Sequence, residues 1–330
     1  MDTLTLPSVP FALGTFSDPG HAAFPGLITA SGRVFDLRQA LPWAPGDVRA
    51  VLQRWDAAWD ALCTLADDRS RSWRSVSDLR IHAPVAPLQI FQSGANYRQH
   101  VIDLKMAERR GDDPRPADQV RAEIGAMMDA RARDGHPYVF IGLPTSLTGP
   151  FDDVELPRWV DQPDWELELA AVIGRPAYRL APEQALDVVA GYTIANDLTD
   201  RASVFRRDMP AIGTDWLRCK NSPGFTPLGP YVVPAAFVDN PGKLRVTLTL
   251  NGQVMQDEST KDMIFDVARL VSYVSGIAQL LPGDLVLTGS PAGNGIHLGR
   301  LLRVGDVMEG TITWLGGQRT RCVAERGGAR

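Results

Sequence analysis

The chain has 330 residues, 44% of them hydrophobic and 22% charged, with a net charge of −5; this describes a soluble globular protein with material for one large domain or two smaller ones. The mildly acidic balance, without a lysine or arginine run, excludes the electrostatic footprint of a nucleic-acid or anionic-membrane binder and leaves a small molecule as the expected partner. Cys63, Cys219 and Cys322 lie far apart and in no metal-type spacing, so neither a disulfide framework nor a zinc cluster is expected and a reducing cytoplasm fits.

The N-terminal stretch MDTLTLPSVPFALGTF opens with an acid, and no apolar segment approaches the roughly 20 residues that span a bilayer, so neither export nor a membrane is expected. Residues 10–37 read as short strands, with a hairpin turned at Ser31-Gly32 that leads into a helix. From Pro45 to Leu65, Val48, Val51, Leu52, Trp55, Trp59 and Leu62 recur on a helical period and predict one surface helix. Pro84 and Pro87 then mark extended chain, which places a boundary near residue 84 between a small N-terminal α/β domain, 1–84, and a second domain, 85–330.

Residues 104–138 are dense in charge and methionine, and Val120, Ile124, Met127, Met128 and Arg131 share one helical face. Two readings fit this inserted segment: a peripheral or subunit-contacting helix, or a lid hinged at Gly111, Gly135 and Pro137. Beyond 150, six short β-branched or alternating runs end in Gly, Pro, Asn or Asp. Only two helices are expected among them, in PEQALDVVA and in MIFDVARLVSYVSGIAQLL, the latter with Ile264, Val267, Ala268, Val271, Val274 and Ala278 on one stripe. The class is mainly β with α, that is α+β, and the strands are too many for a Rossmann core.

In DWELELAAVIG, residues 164–174, Glu166 and Glu168 project to one face of a strand while Leu167 and Leu169 face the other. A half-exposed strand alternates in the same way, so the pair alone decides nothing. A second strand, GYTIANDLTDR, ends in Asp197. Three carboxylates without histidine or cysteine suit a hard cation, Mg²⁺, Mn²⁺ or Ca²⁺, and without one they would repel each other and raise their own pKa values.

The ordered segments SGANYRQH, PTSLTGP, DWELELAAVIGR, GYTIANDLTDR, KNSPGFTPLGPYVV, LNGQVMQDESTKDMIFDVARLVSYVS and LLPGDLVLTGSPAGNG resemble the fumarylacetoacetate hydrolase family over about residues 88–325. The resemblance implies a mixed β-sandwich roll as catalytic domain, a homodimer, and Mg²⁺ or Mn²⁺ held by Glu166, Glu168 and Asp197. It also implies catabolic chemistry on 1,3-dicarbonyl or 2-oxo acids: hydrolysis of a carbon–carbon bond, isomerisation or decarboxylation. His100 falls at the family's general base, and Asp103 stands three residues on, where the family keeps a glutamate. Lys220 matches a lysine facing the oxyanion. Arg201 matches an arginine that holds a substrate carboxylate or braces the metal loop, the second role being favoured. Tyr97, Gly289 and Ser290, the last in place of a threonine, are expected at the substrate.

Two departures from the family pattern remove polar groups: its lysine is Gly142 here, and its glutamine after the arginine is Val204. Both predict a substrate with a larger apolar arm, over which the extra helix near 117–133 could close. The expected activity is metal-dependent carbon–carbon hydrolysis of an oxo acid or diketone by enolate stabilisation. Its rivals are an isomerase or decarboxylase on the same metal site, and a protein with a structural Ca²⁺.

Overall fold

The computed structural model describes residues 5–44, 46–107, 109 and 113–327. Pro45 and Gly111, the expected helix start and hinge, lie outside the described residues. Near the N-terminus, β1 (Phe11–Ser17), β2 (Phe24–Thr29), β3 (Arg33–Asp36), β4 (Arg74–Ser75) and β5 (Arg80–His82) form an antiparallel sheet in the order β4-β3-β2-β1-β5. The β2–β3 hairpin turns at Gly32, whose positive φ of 73° needs a residue without a Cβ and whose N–H donates to the Thr29 carbonyl.

The helix expected over 45–65 is two: α1 (Val48–Leu52), capped by the Asp47 side chain, and α2 (Trp55–Asp67). The chain breaks at Gln53-Arg54 because one straight stripe would not bury everything that needs cover. The break lets Val48, Val51 and Leu52 face the core from one segment and Ala58, Leu62 and Leu65 from the next. Their cluster also holds Ala170, Val172 and Leu285, and Leu13 and Val232 exchange backbone hydrogen bonds. The apolar core is therefore continuous across residue 84.

The central sheet consists of β6 (Ile90–Gly94), β7 (Tyr138–Gly142), β8 (Leu167–Ile173), β9 (Val189–Asn196), β10 (Val233–Pro234) and β11 (Leu285–Leu287), in the order β10-β9-β8-β11-β6-β7. It is antiparallel except where β11 runs parallel to β6. A five-stranded sheet of segments 154–156, 245–250, 253–259, 307–312 and 316–324 packs against it. Every residue of β8 is buried, which rules out the half-exposed strand. Leu167, Leu169, Ala171 and Ile173 pack with Val246, Leu248 and Met308, while Ala170 and Val172 pack toward the N-terminal helices.

Two further helices lie between β6 and β7. The first, α3 (Arg98–Ala107), was not anticipated. The second, α4 (Ala117–Asp134), packs Val120 and Ile124 against Ile102 of α3, but Met127 points to solvent rather than onto the shared face. By spacing, Met127 (i+3 from Ile124, i+7 from Val120) belongs with that stripe, yet it is exposed, and Met128 is buried in the main core cluster instead. Beyond 150, α5 (Pro182–Ala185) and α7 (Val267–Ser275) correspond to the expected helices, and two short ones add to them: α6 (Trp216–Lys220) and α8 (Gly295–Leu298). They escaped the reading because one helical turn shows no periodicity. Among the described residues no helix is long and apolar enough to cross a membrane. Replacing Leu169, fully buried in β8, with alanine should cost about 2–5 kcal/mol, read as a lowered urea midpoint with unchanged slope.

Candidate active site

The β8–β9 register builds the acidic cluster. Leu167 pairs with Asn196 and Glu168 with Ala195, so one step further Glu166 stands opposite Asp197, and the Asp197 N–H donates to the Glu166 carbonyl at 2.9 Å. Glu168 projects to the same face as Glu166. All three are buried, and one oxygen from each lies within 4.8 Å of the others.

Four groups surround the three carboxylates. Lys220, the last residue of α6, spends its three donors on Glu166 Oε2 (2.6 Å), Asp197 Oδ2 (2.6 Å) and the Asp197 carbonyl (3.0 Å). Arg201 forms ion pairs with Asp164 Oδ2 at 2.8 Å and Glu166 Oε1 at 2.7 Å, the geometry of a brace across the metal loop. Asp164 is held in turn by the Gly295 and Ile296 N–H groups. The Gly289 N–H, in a backbone with φ of 87°, donates to Glu168 Oε2 at 2.7 Å. Asn96 fixes this loop by donating to the Thr288 and Phe265 carbonyls.

The fourth group was missed by the sequence reading. Gln92 of β6 donates from Nε2 to Asp197 Oδ1 at 2.5 Å. A Cβ on Gly142, diagonal to it across the β6–β7 pair, would lie 2.6 Å from Gln92 Oε1. Gly142 therefore does not simply delete a polar contact, as expected; it opens the space that the Gln92 amide fills. The available signal was a glutamine directly after the apolar pair of strand IFQSG.

Burial raises the Glu168 carboxyl well above its ordinary pKa, and the charges of Asp197 and Glu166 raise it further. Burial raises Asp197 too, partly offset by Lys220. For Glu166, burial pushes upward, but Lys220 and Arg201 together outweigh it and hold the group low. A divalent cation fits this donor set. Among the described residues the three carboxylates and Asp164 make ion pairs with Lys220 and Arg201 alone; with all four ionised, as a bound cation would hold them, two negative charges are left, on the hard oxygens that Mg²⁺ and Mn²⁺ prefer.

A cavity of about 780 Å³ opens onto this cluster and is lined in part by His100, Glu166, Arg201, Lys220, Ser290 and His297. His100, in the first turn of α3, is buried with Nδ1 lacking a partner. Burial lowers its pKa to about 3, so it is neutral. Asp103 does not serve it: its carboxylate accepts from Gln99 Nε2 at 2.9 Å and Arg121 Nη1 at 3.3 Å. The shorter side chain, on an exposed flank of α3, is captured by α4 instead. His297, a second missed residue, stands with its ring 5.5 Å from that of His100; a lone histidine after the glycine-rich NGI was its only signal. Ser290 Oγ accepts from Gln256 and Asn294 at the cavity wall. Tyr97 is fully buried, is not among the residues that line the cavity, and its backbone bridges to Met263. Val204 lines the cavity. No residue of α4 does so, and the helix packs behind α3 rather than over the opening.

Replacing Gln92 with alanine frees Asp197 to reorient and should weaken Mn²⁺ binding by about 10-fold or more, measured by calorimetric titration. For His100, the unfolded state takes up a proton near pH 6.5 and the native state only near pH 3, so this group costs stability as pH falls between those values. Denaturation of the metal-free protein should show wild type losing about 2 kcal/mol more than His100→Asn between pH 7 and pH 5.

Among known proteins, the fumarylacetoacetate (FAA) hydrolase C-terminal family matches residues 89–323. The 2,4-didehydro-3-deoxy-L-rhamnonate hydrolase of Sphingomonas sp. (strain SKA58) is 34% identical over 299 residues, covering 89% of this chain and 90% of that one. A mitochondrial oxaloacetate tautomerase of Xenopus laevis is 30% identical, covering 86% and 81% of the two chains. The solved structure of a fumarylacetoacetate hydrolase from Exiguobacterium antarcticum superposes with a TM-score of 0.73 at 27% identity, covering 96% of this chain and 100% of that one. Members of this family are enzymes, and on these matches, together with the fold and the buried acidic triad, the chain belongs to the fumarylacetoacetate hydrolase family.

Proposed function

We propose that the chain is a divalent-metal-dependent hydrolase that cleaves a carbon–carbon bond in a 1,3-dicarbonyl acid or related 2-oxo acid. The observation that carries this reading is the convergence of the acidic triad, two cationic side chains and a buried neutral imidazole on one cavity. Glu166, Glu168 and Asp197 would hold Mg²⁺ or Mn²⁺, and the ion would supply Lewis-acid polarisation of an oxo group.

The protein's own groups do the rest. His100, kept neutral by burial, removes a proton from water as the water oxygen bonds to the distal carbonyl carbon. The Lys220 ammonium, its three donors held by Glu166 and Asp197, stabilises the developing oxyanion by its positive charge at the cavity wall. The bond between that carbon and the methylene then breaks, its electron pair passing into the enolate of the 2-oxo acid. His100 returns its proton to the methylene carbon. Arg201, fixed between Asp164 and Glu166, keeps the carboxylates in place. Asp103, committed elsewhere, leaves the protonation of His100 to burial first and then to the charges of Glu166, Arg201 and Lys220.

A second reading, an isomerase, tautomerase or decarboxylase on the same site, has its support in the oxaloacetate tautomerase relative; it needs the same enolate without attacking water. The homodimer and the catabolic role rest on the family resemblance, and three free cysteines support a cytoplasmic setting. With Mn²⁺, an acylpyruvate panel in ¹⁸O-labelled water should release a carboxylic acid carrying one solvent oxygen from the cleavage step; products without cleavage would favour the second reading. Glu168→Ala should lower both Mn²⁺ affinity and turnover by about 100-fold or more, and unchanged values would remove the metal assignment.

A further inference from the structure

We infer that the cavity is built for a planar aromatic arm on the substrate, so that the preferred class is a 2,4-dioxo acid bearing an aryl group on its distal carbonyl. This rests on the hydrolase reading above and specifies its substrate. Two walls start at the reacting end and run outward together. One begins at Lys220, whose Nζ lies 5.8 Å from the Phe140 ring centroid. Phe140 stacks on Trp216 with centroids 4.4 Å apart and planes 15° from parallel. Trp216 continues the wall to Tyr138, donating from Nε1 to the Tyr138 hydroxyl at 2.5 Å.

That hydrogen bond satisfies the indole N–H and leaves the wall with π-surface to offer. The same cavity is lined by the face of α3 that begins at His100 and continues through Leu104 to Ala107. Seven residues of helix carry it about 10 Å from the imidazole, room for a ring beyond the distal carbonyl. Val204, from the loop after Arg201, adds apolar surface. A flat ring between the stacked aromatics and Leu104 gains dispersion and burial that an acetyl group cannot. A polyol arm would set most of its hydroxyls against ring and aliphatic surface, with Thr214 and Gln162 as its polar neighbours in the lining. Lys105 also borders the cavity, so an arm ending in a carboxylate is the competing occupant.

Hydrolysis of such a substrate balances without a further reactant. Water oxygen joins the aryl carbonyl carbon, the bond from that carbon to the methylene breaks, and its electron pair and a proton stay with the methylene. The products are an aryl carboxylic acid and pyruvate.

The test uses the full chain loaded with Mn²⁺. Turnover is measured on 4-phenyl-2,4-dioxobutanoate, on 2,4-dioxopentanoate and on an analogue whose arm ends in a carboxylate. Binding is measured by calorimetry with two acids that lack the distal carbonyl, 4-phenyl-2-oxobutanoate and 2-oxopentanoate. The phenyl substrate should exceed the other two in kcat/KM by about tenfold or more, and the phenyl acid should bind more tightly than 2-oxopentanoate by a similar factor. Trp216→Ala should collapse both preferences and Trp216→Phe should restore them, with thermal melting reporting that both variants fold. Equal or better turnover of the methyl or carboxylate-ended substrate, or a phenyl preference that survives Trp216→Ala, overturns the inference while leaving the hydrolase reading standing. Tight, Trp216-dependent binding of the phenyl acid with no cleavage of any substrate keeps the aromatic slot and overturns the hydrolase reading. Absence of both cleavage and any phenyl preference in binding overturns both.

Discussion

Concentrated negative charge at the end of two buried strands is the constraint that organises this molecule. The antiparallel register sets Glu166 across from Asp197, with Glu168 on the same face, a juxtaposition that destabilises an uncompensated sheet. Burial removes the water that would screen it. Each neighbouring element delivers some relief: α6 brings the Lys220 ammonium, the chain after β9 brings Arg201, β6 brings the Gln92 amide and the turn after β11 brings the Gly289 N–H. The fold around β8 reads as an arrangement of donors about one anionic centre, two charges short of neutrality when all four carboxylates are ionised.

That arrangement fits the burial of β8 along its whole length. A cluster whose ligand oxygens must stay within 4.8 Å of each other needs a backbone that does not shift. Leu167 and Leu169 on one side and Ala170 and Val172 on the other anchor it in both core clusters. The N-terminal sheet and helices take part in this anchoring through the second cluster. They support the site without lining it.

Much of the site was legible because alternation in strands is a strict rule. Glu166 and Glu168 announce a common face by spacing, and Asp197 announces itself by ending a β-branched run. The fold class followed from the frequency of short strands and turn residues. What escaped depends on partners distant in sequence. Asp103 sits where a helper acid belongs, yet the choice between His100 and Arg121 is made by how α4 packs on α3. Tyr97 stands in a recognisable motif, but it is fully buried and its backbone bridges to Met263. Gln92 and His297 are single polar residues in otherwise ordinary stretches, and only the tertiary structure brings them to the cluster or the cavity. The break between α1 and α2 is likewise a packing decision that a helical wheel cannot make.

Gln92 and Gly142 carry a consequence for how this sequence can change over time. A side chain at 142 collides with the Gln92 amide, since even its Cβ would come within 2.6 Å of Oε1, whereas a small residue at 92 first opens the same space. The two positions are therefore coupled. A side chain at 142 displaces the Gln92 amide, and with it one of the supports of Asp197.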